Sequence, residues 1–324
     1  MCTAINLRKS NHYFGRNLDL EYHYNEEVVI TPQNFIFPFR NISNCNDPYP
    51  MIGMATVIDG VPLYYDATNI HGLSMAGLNF PGNAVYHPIN KGTDNVASFE
   101  LIPWILVQCR TVQEARTLLS RINITDTIFS KDFPPTPLHW IISDQKESIV
   151  VESEAEGVSV YDNPIDVLTN TPPFPYHMYN LCNYLNLTNN APTGDLIKSL
   201  NLHPYSNGMG GIGLPGDLSS ASRFVRAAFM LASSDCEDTE LDCVSQFFHI
   251  LDTVAHPRGS VIVNKKYEIT YYSSCCNTQK GIYYYKTYGN SRITAVDMYK
   301  EDLTQSALIR YPLRTAQDIY TENN

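Results

Sequence analysis

Positive charge, long apolar runs and paired-cysteine motifs are all scarce in this chain. Lys and Arg total 22 against 33 Asp and Glu, a formal net charge of −11. A surface that acidic repels phosphate, so nucleic acid is excluded as the expected partner, while an anionic small molecule remains open if arginines line its pocket. No stretch reaches the roughly 18 apolar residues that a membrane span requires, and "RKSNH" interrupts the first ten residues where a signal peptide would have its apolar core. The expectation is a cytoplasmic protein with no membrane partner. The eight cysteines, at 2, 45, 109, 182, 236, 243, 275 and 276, form no CxxC and no Cys/His spacing of a zinc site. They read as small, reduced core residues, with the adjacent Cys275 and Cys276 on opposite faces of a strand. Asn41, Asn123 and Asn186 open N-x-S/T triplets, but without a secretory signal these carry no weight. "GMGGIGLPGD" at 208–217 lacks the GK[ST] of a phosphate loop and follows no clear strand, so it reads as a flexible loop leading into a helix.

What is present is a globular composition, 44% hydrophobic and 17% charged, in a chain of 324 residues that can bury a large core. "CTAINL", "RKSNH" and "YFGRNLDL" predict a hairpin, "EVVITPQNF" another strand, and "MIGMATVIDGVPLYYDATNIHGLSMAGLNFP" short strands broken at "DG" and "HG". The period then becomes helical in "SFELIPWILVQCRTVQEARTLLSRIN", with Ser98 as the expected N-cap and Glu114–Leu119 in a second helix. Strands return in "LHWIISDQKESIVVESEAEGVSVYDN". Two more helices follow in "SSASRFVRAAFMLASS", capped by Ser219 or Ser220, and "CVSQFFHILDTVA". A Tyr-, Ile- and Thr-rich meander ends the chain. Strand blocks alternating with helix pairs predict an α+β fold in which helices cover antiparallel sheets. Residues 186–216 depart from this pattern as an Asn/Gly/Pro-rich excursion with a short helical piece, of a length usually given to function or assembly.

Polar residues of possible chemical use are scattered. Cys2 follows the initiator Met1; if Met1 leaves, one residue carries both a thiol and a free α-amine. "GRNLDL" holds Arg16 and Asp19, three apart, which a regular strand sends to opposite faces unless a bulge near Gly15 or the strand end intervenes. Asn79 ends an apolar strand in "AGLNFPG", and Asn170 does the same before the double proline of "VLTNTPPF". In "SASRFVRAAF", small and apolar neighbours around Arg223 predict partial burial with a carboxylate partner.

In order along essentially the whole chain, "MCTA", "FGRNLD", "GLNFPG", "VLTNTPPF" and "GIGLPGDLSSASRFVR", with "LHW", "SIVVE", "QFFHIL" and "GIYYY" between them, resemble the choloylglycine hydrolase family, in its bile-salt-hydrolase branch. The resemblance implies one N-terminal-nucleophile domain over 1–324, a four-layer αββα sandwich of two antiparallel sheets. The implied substrates are glycine- or taurine-conjugated bile acids, whose amide is cleaved through a Cys2 thioester once Met1 is removed. An α-amine ordinarily titrates near about 7.7–8.0, so it can serve as the thiol's own base. By family position Asp19 holds that amine, Arg16 favours the thiolate, Asn170 and the Asn79 backbone N–H form the oxyanion hole, and Arg223 orients the network through ion pairing. The steroid requires an apolar pocket, for which Leu18, Leu20 and Tyr24, the Met51–Leu63 segment, and Phe129 to Leu138 are candidates. No metal or organic cofactor is implied, and the assembly is a homotetramer gripped through 186–216. Rival readings are a penicillin V acylase, against which Asn79 stands where acylases carry tyrosine, an acyltransferase to another amine, and a non-catalytic bile-acid binder.

Overall fold

The computed structural model describes residues 1–193, 197 and 199–323. Two antiparallel sheets face one another. In the first, the order is Val167–Leu168, Cys2–Arg8, His12–Leu20, Lys266–Asn277, Ile282–Thr287 and Asn290–Asp297, with Val261–Val263 also on the Lys266–Asn277 strand. In the second, the order is Gly157–Asp162, Ser148–Glu154, Leu138–Ser143, Ser74–Asn79, Val61–Asn69, Met51–Ile58, Glu27–Thr31 and Ile309–Pro312. Helices α1 (Leu101–Leu106) and α2 (Val112–Leu119) cover the outside of the second sheet. Helices α3 (Phe174–Asn180), α4 (Ser220–Ala232) and α5 (Glu240–Asp252) cover the first. The αββα layering expected from the family resemblance is the one observed.

Both faces of each sheet are therefore buried, and this explains why the second-sheet strands read as apolar runs without alternation. Ile30, Ile141 and Val150 pack into the core between the sheets. Their chain neighbours Val29, Ile142 and Val151 pack outward into the core under α1 and α2.

Several local expectations are corrected. Ser98 does not cap a helix: it lies inside a single 3-10 turn, Ser98–Glu100, whose Glu100 carboxylate accepts from the Ala97 N–H. The second helix begins earlier, at Val112, because Thr111 Oγ1 accepts from the Glu114 N–H. Ser219 is the N-cap residue of α4, but its side chain makes no cap bond. The Met51–Leu63 segment is mostly core strand, with Met51, Ile52, Met54 and Ala55 fully buried. Within 186–216 the described residues include one 3-10 turn, Met209–Gly211; residues 194–196 and 198 of that excursion lie outside the described residues.

Gly15 is fixed by strand proximity. A Cβ there would lie 2.0 Å from the Ser274 carbonyl oxygen, so no larger residue fits between those strands.

Candidate active site

Cys2 opens the first strand and is 2% exposed. It stands directly opposite Leu18 in the antiparallel pair. Paired residues share a face, and Arg16 and Leu18 share one by alternation, so the Cys2 thiol and the Arg16 side chain both face the space between the sheets. Asp19 faces the other way, toward the helices. The expected bulge is not in the Arg16–Asp19 strand. It is in the neighbouring one, where pairing slips between Thr270 and Tyr272. The two charged residues thus bracket the start of the chain from opposite sides of the sheet.

Arg16 is fully buried. Pairing of the Val61–Asn69 and Ser74–Asn79 strands stops at Asp66 and Ala76, and Tyr65 is the extra residue of a bulge between Met54 and Ala55 on the facing strand. Where Tyr65 and Gly77 would continue the ladder, Arg16 Nη1 instead donates to both carbonyls, at 3.1 Å to Tyr65 and in a short bond to Gly77. The guanidinium closes a split in the opposite sheet. Burial opposes its charge, but the Cys2 thiol, Tyr272, Asp66 and Asp19 outweigh burial and raise its pKa. Asp66, buried beside it and accepting from Tyr283 and Ser274, is pushed up by burial to about 6.

On the helix side, Asp19 Oδ1 accepts from Thr270 Oγ1 at 2.6 Å, while buried Oδ2 has no hydrogen-bond donor. The backbone of Asp19 takes the first residue of the chain: its N–H donates to Met1 O at 2.9 Å, and its carbonyl accepts from the Met1 ammonium at 2.5 Å. The same ammonium lies 2.7 Å from Glu268 Oε2. With Met1 in place, the Cys2 N–H donates to Asn170 Oδ1 at 2.8 Å.

Asn170 is the hub. Its Oδ1 also accepts from Arg223 Nη2 at 2.7 Å, and its Nδ2 donates to the Asn79 carbonyl at 2.7 Å. Ser220 Oγ accepts its N–H, and His177 Nε2 donates to its carbonyl at 2.8 Å. That bond requires the proton on Nε2, and burial, the largest cause, drives His177 down to about 4. Asn79 is presented by register. The Phe80 N–H bonds Pro137 O, so strand alternation turns the N–H and C=O of Asn79 away from the Leu138 strand, beyond the point where pairing to Val61–Asn69 has ended. An Asn79 N–H and an Asn170 amide therefore lie side by side.

Arg223 corrects an expectation. It is fully buried, but its acceptors are neutral: Cys2 O at 2.5 Å, Thr3 Oγ1 and Asn170 Oδ1 at 2.7 Å, and Leu218 O at 2.9 Å. Burial lowers its pKa, with Asp19, Cys2 and Glu268 opposing. It braces the first strand through carbonyl and hydroxyl groups rather than through a contact ion pair.

The five candidate pocket residues do not line one cavity: Tyr24 lines one and Phe129 another. Leu18 and Leu20 share the Cys2 face of their strand, and Leu138 is paired directly opposite Asn79. The Tyr24 ring lies 6.5 Å from Phe133, which lies 6.2 Å from Phe129. A cavity of about 760 Å³ is lined by Tyr24 with His23, Glu26, Ile58, Arg258, Tyr271 and Tyr288 among others, and Cys2 is not part of that lining. Sequence reasoning missed His177, Asp66, His256 and Glu268, none of which has a motif of its own. Only Ser220 had a signal, as a helix-start serine, and its hydroxyl serves Asn170 instead.

The chain matches the family described as linear amide C–N hydrolases, choloylglycine hydrolase family, over residues 2–311. It is 48% identical, over the full length of both chains, to a bile salt hydrolase/transferase of Lactiplantibacillus plantarum. It is 39% identical to the Clostridium perfringens bile salt hydrolase/transferase over 96% of each chain. The crystal structure of a variant of the conjugated bile acid hydrolase from Clostridium perfringens superposes with a TM-score of 0.91 at 38% identity, covering 100% of both chains. A penicillin V acylase from Agrobacterium tumefaciens shares the fold at 16% identity, with a TM-score of 0.76 over 97% of this chain and 92% of that one.

Proposed function

The chain belongs to the choloylglycine hydrolase family, and from that membership we propose that it hydrolyses the amide bond of glycine- or taurine-conjugated bile acids through a Cys2 thioester. The observation that carries the reading is the convergence of Cys2, Asn170, Asn79 and Arg223 at the first residue of the strand. Removal of Met1 frees the Cys2 amine beside the unpartnered Asp19 Oδ2. The amine takes the thiol proton as sulfur attacks the scissile carbonyl, then delivers it to the leaving amine; water cleaves the thioester. Arg16, on the thiol's face, favours the thiolate. Asn170 Nδ2 has two hydrogens. One goes to Asn79 O, and the other, with the Asn79 N–H, meets the oxyanion. Arg223 keeps the Cys2 carbonyl and Asn170 in register. The steroid packs along Leu18, Leu20, Tyr24, Phe129 and Leu138.

The mechanism calls for no metal or cofactor. The same reading includes one domain over 1–324, a cytoplasmic location, and a homotetramer joined through 186–216. A second reading, transfer of the acyl group to an amine other than water, is supported by the names of the Lactiplantibacillus and Clostridium relatives.

The test is release of glycine or taurine from glycocholate and taurocholate, with penicillin V as control, on protein whose intact mass shows Met1 removed. Fast release from the bile salts is expected, lost in Cys2→Ala by about 10⁴-fold or more. Turnover by Cys2→Ala would refute the nucleophile; selective cleavage of penicillin V would refute the substrate class.

A further inference from the structure

Glu268 has no part in the mechanism above, yet it is a buried carboxylate at the start of the chain. It shares the helix-side face of its strand with Thr270, two residues on, and Thr270 is paired with Asp19. Glu268 Oε2 is 2.7 Å from the Met1 ammonium and Oε1 is 2.9 Å from His256 Nδ1. His256 Nε2 in turn stands 3.8 Å from Asp19 Oδ2. The loop after α5 that carries His256 is pinned to the same place: its N–H donates to Thr270 Oγ1 at 2.8 Å, and Thr270 donates that hydroxyl to Asp19 Oδ1. Glu268 and His256 are 2% and 1% exposed. Burial opposes the charge of Glu268, but His256 and the chain-terminal ammonium outweigh it and hold the carboxyl below its usual range.

We propose that Glu268, with His256, is a positioning residue for the Cys2 α-amine of the processed enzyme, acting through Asp19. The inference rests on the Cys2 mechanism proposed above. Met1 marks the place: consecutive Cα atoms are about 3.8 Å apart, so acceptors that hold the Met1 nitrogen stand within one residue of the Cys2 nitrogen. As a peptide N–H, that nitrogen has one hydrogen, which goes to Asn170 Oδ1. As an amine it has further hydrogens, and Asp19 Oδ2 is, among the described residues, a buried acceptor without a donor. Two buried carboxylates at one place repel; the His256 ring stands near both, and its backbone N–H holds Thr270, whose hydroxyl fixes the aim of Asp19. The other charges facing the group are Arg223 from α4 and Arg16 across the sheet. Negative charge here favours the proton-bearing state of the Cys2 thiol and amine.

The test is the pH dependence of Cys2 alkylation by iodoacetamide, read by mass spectrometry, on full-length protein treated to completion with methionine aminopeptidase. Glu268→Gln is expected to move the midpoint down by about one pH unit and to lower kcat for glycocholate with little change in KM, while Glu268→Asp stays near wild type. An unmoved midpoint with the kcat/KM split of the wild type overturns the proposal, even if the variant is less stable. Should Glu268→Gln fail to fold, His256→Gln must lower kcat with KM retained; wild-type kinetics for it overturns the proposal equally. The alkylation readout needs no substrate, so it stands apart from the substrate assignment, which falls only by the bile-salt and Cys2→Ala assays.

Discussion

The two sides of the strand that follows Cys2 are both buried and both carry charge, and they are built in opposite ways. On the inter-sheet side, Arg16 satisfies two carbonyls that a split in the second sheet leaves open, with Asp66 and Tyr272 nearby. On the helix side, Asn170, Arg223, Asp19 and Glu268 hold the chain start itself by bonds to its backbone atoms. The first side is a charge set into a sheet defect; the second is a hydrogen-bonded cradle. A thiol placed between them meets cationic field from one side and positioned donors from the other.

The comparison is most directly broken at Asn170. Asn170→Ala removes a donor and the acceptor shared by Cys2 N–H and Arg223, so turnover is expected to fall by about 10²–10³-fold, while Arg16 and its sheet contacts stay intact. Steady-state kinetics with glycocholate checks it; a change confined to KM would mean that Asn170 only binds.

The two sides should also respond to pH with opposite sign. His177, which supports Asn170, lies at about 4 against an ordinary 6.5. The unfolded chain binds that proton first, so stability rises with pH from about 4 to 6.5, by about 3 kcal/mol at full effect. Asp66 lies at about 6 against an ordinary 3.8. There the folded chain holds the extra proton, so stability falls as pH rises from 3.8 to about 6, again by about 3 kcal/mol. The two nearly cancel in the wild type between about pH 4 and 6. His177→Gln is expected to leave stability falling across that window, and Asp66→Asn to leave it rising. Urea midpoints at pH 4, 5 and 6 read both slopes; parallel slopes in the two variants would refute the assignment. The His177 effect is the larger because its imidazole has one hydrogen-bonded nitrogen, whereas Asp66 is partly compensated by Arg16, Tyr283 and Ser274.

Much of the fold was legible in the chain. The opening hairpin, the two long helices α4 and α5 and the final meander are local, because periodicity and turn residues are properties of adjacent residues. The short α3 was missed: its seven residues after a double proline give too little periodicity to register. Of the site, Cys2, Arg16, Asp19, Asn79, Asn170 and Arg223 were named through motifs in family order. The residues that support them, His177, His256, Glu268 and Asp66, were not: His177 reaches back seven residues to Asn170 with no motif to mark it, and the others act across distances of tens to hundreds of residues in sequence.

What the sequence determined by itself was a small set of polar residues at strand ends, a cysteine placed to become a terminus, and an α+β order of elements. What only the tertiary structure decided was which side of the sheet each residue serves. Strand alternation placed Arg16 and Asp19 on opposite faces, and the bulge lay on a strand more than 250 residues away. Arg223 found carbonyls instead of a carboxylate. Those outcomes follow from the register and closeness of nonlocal strands, and no spacing within one segment encodes them.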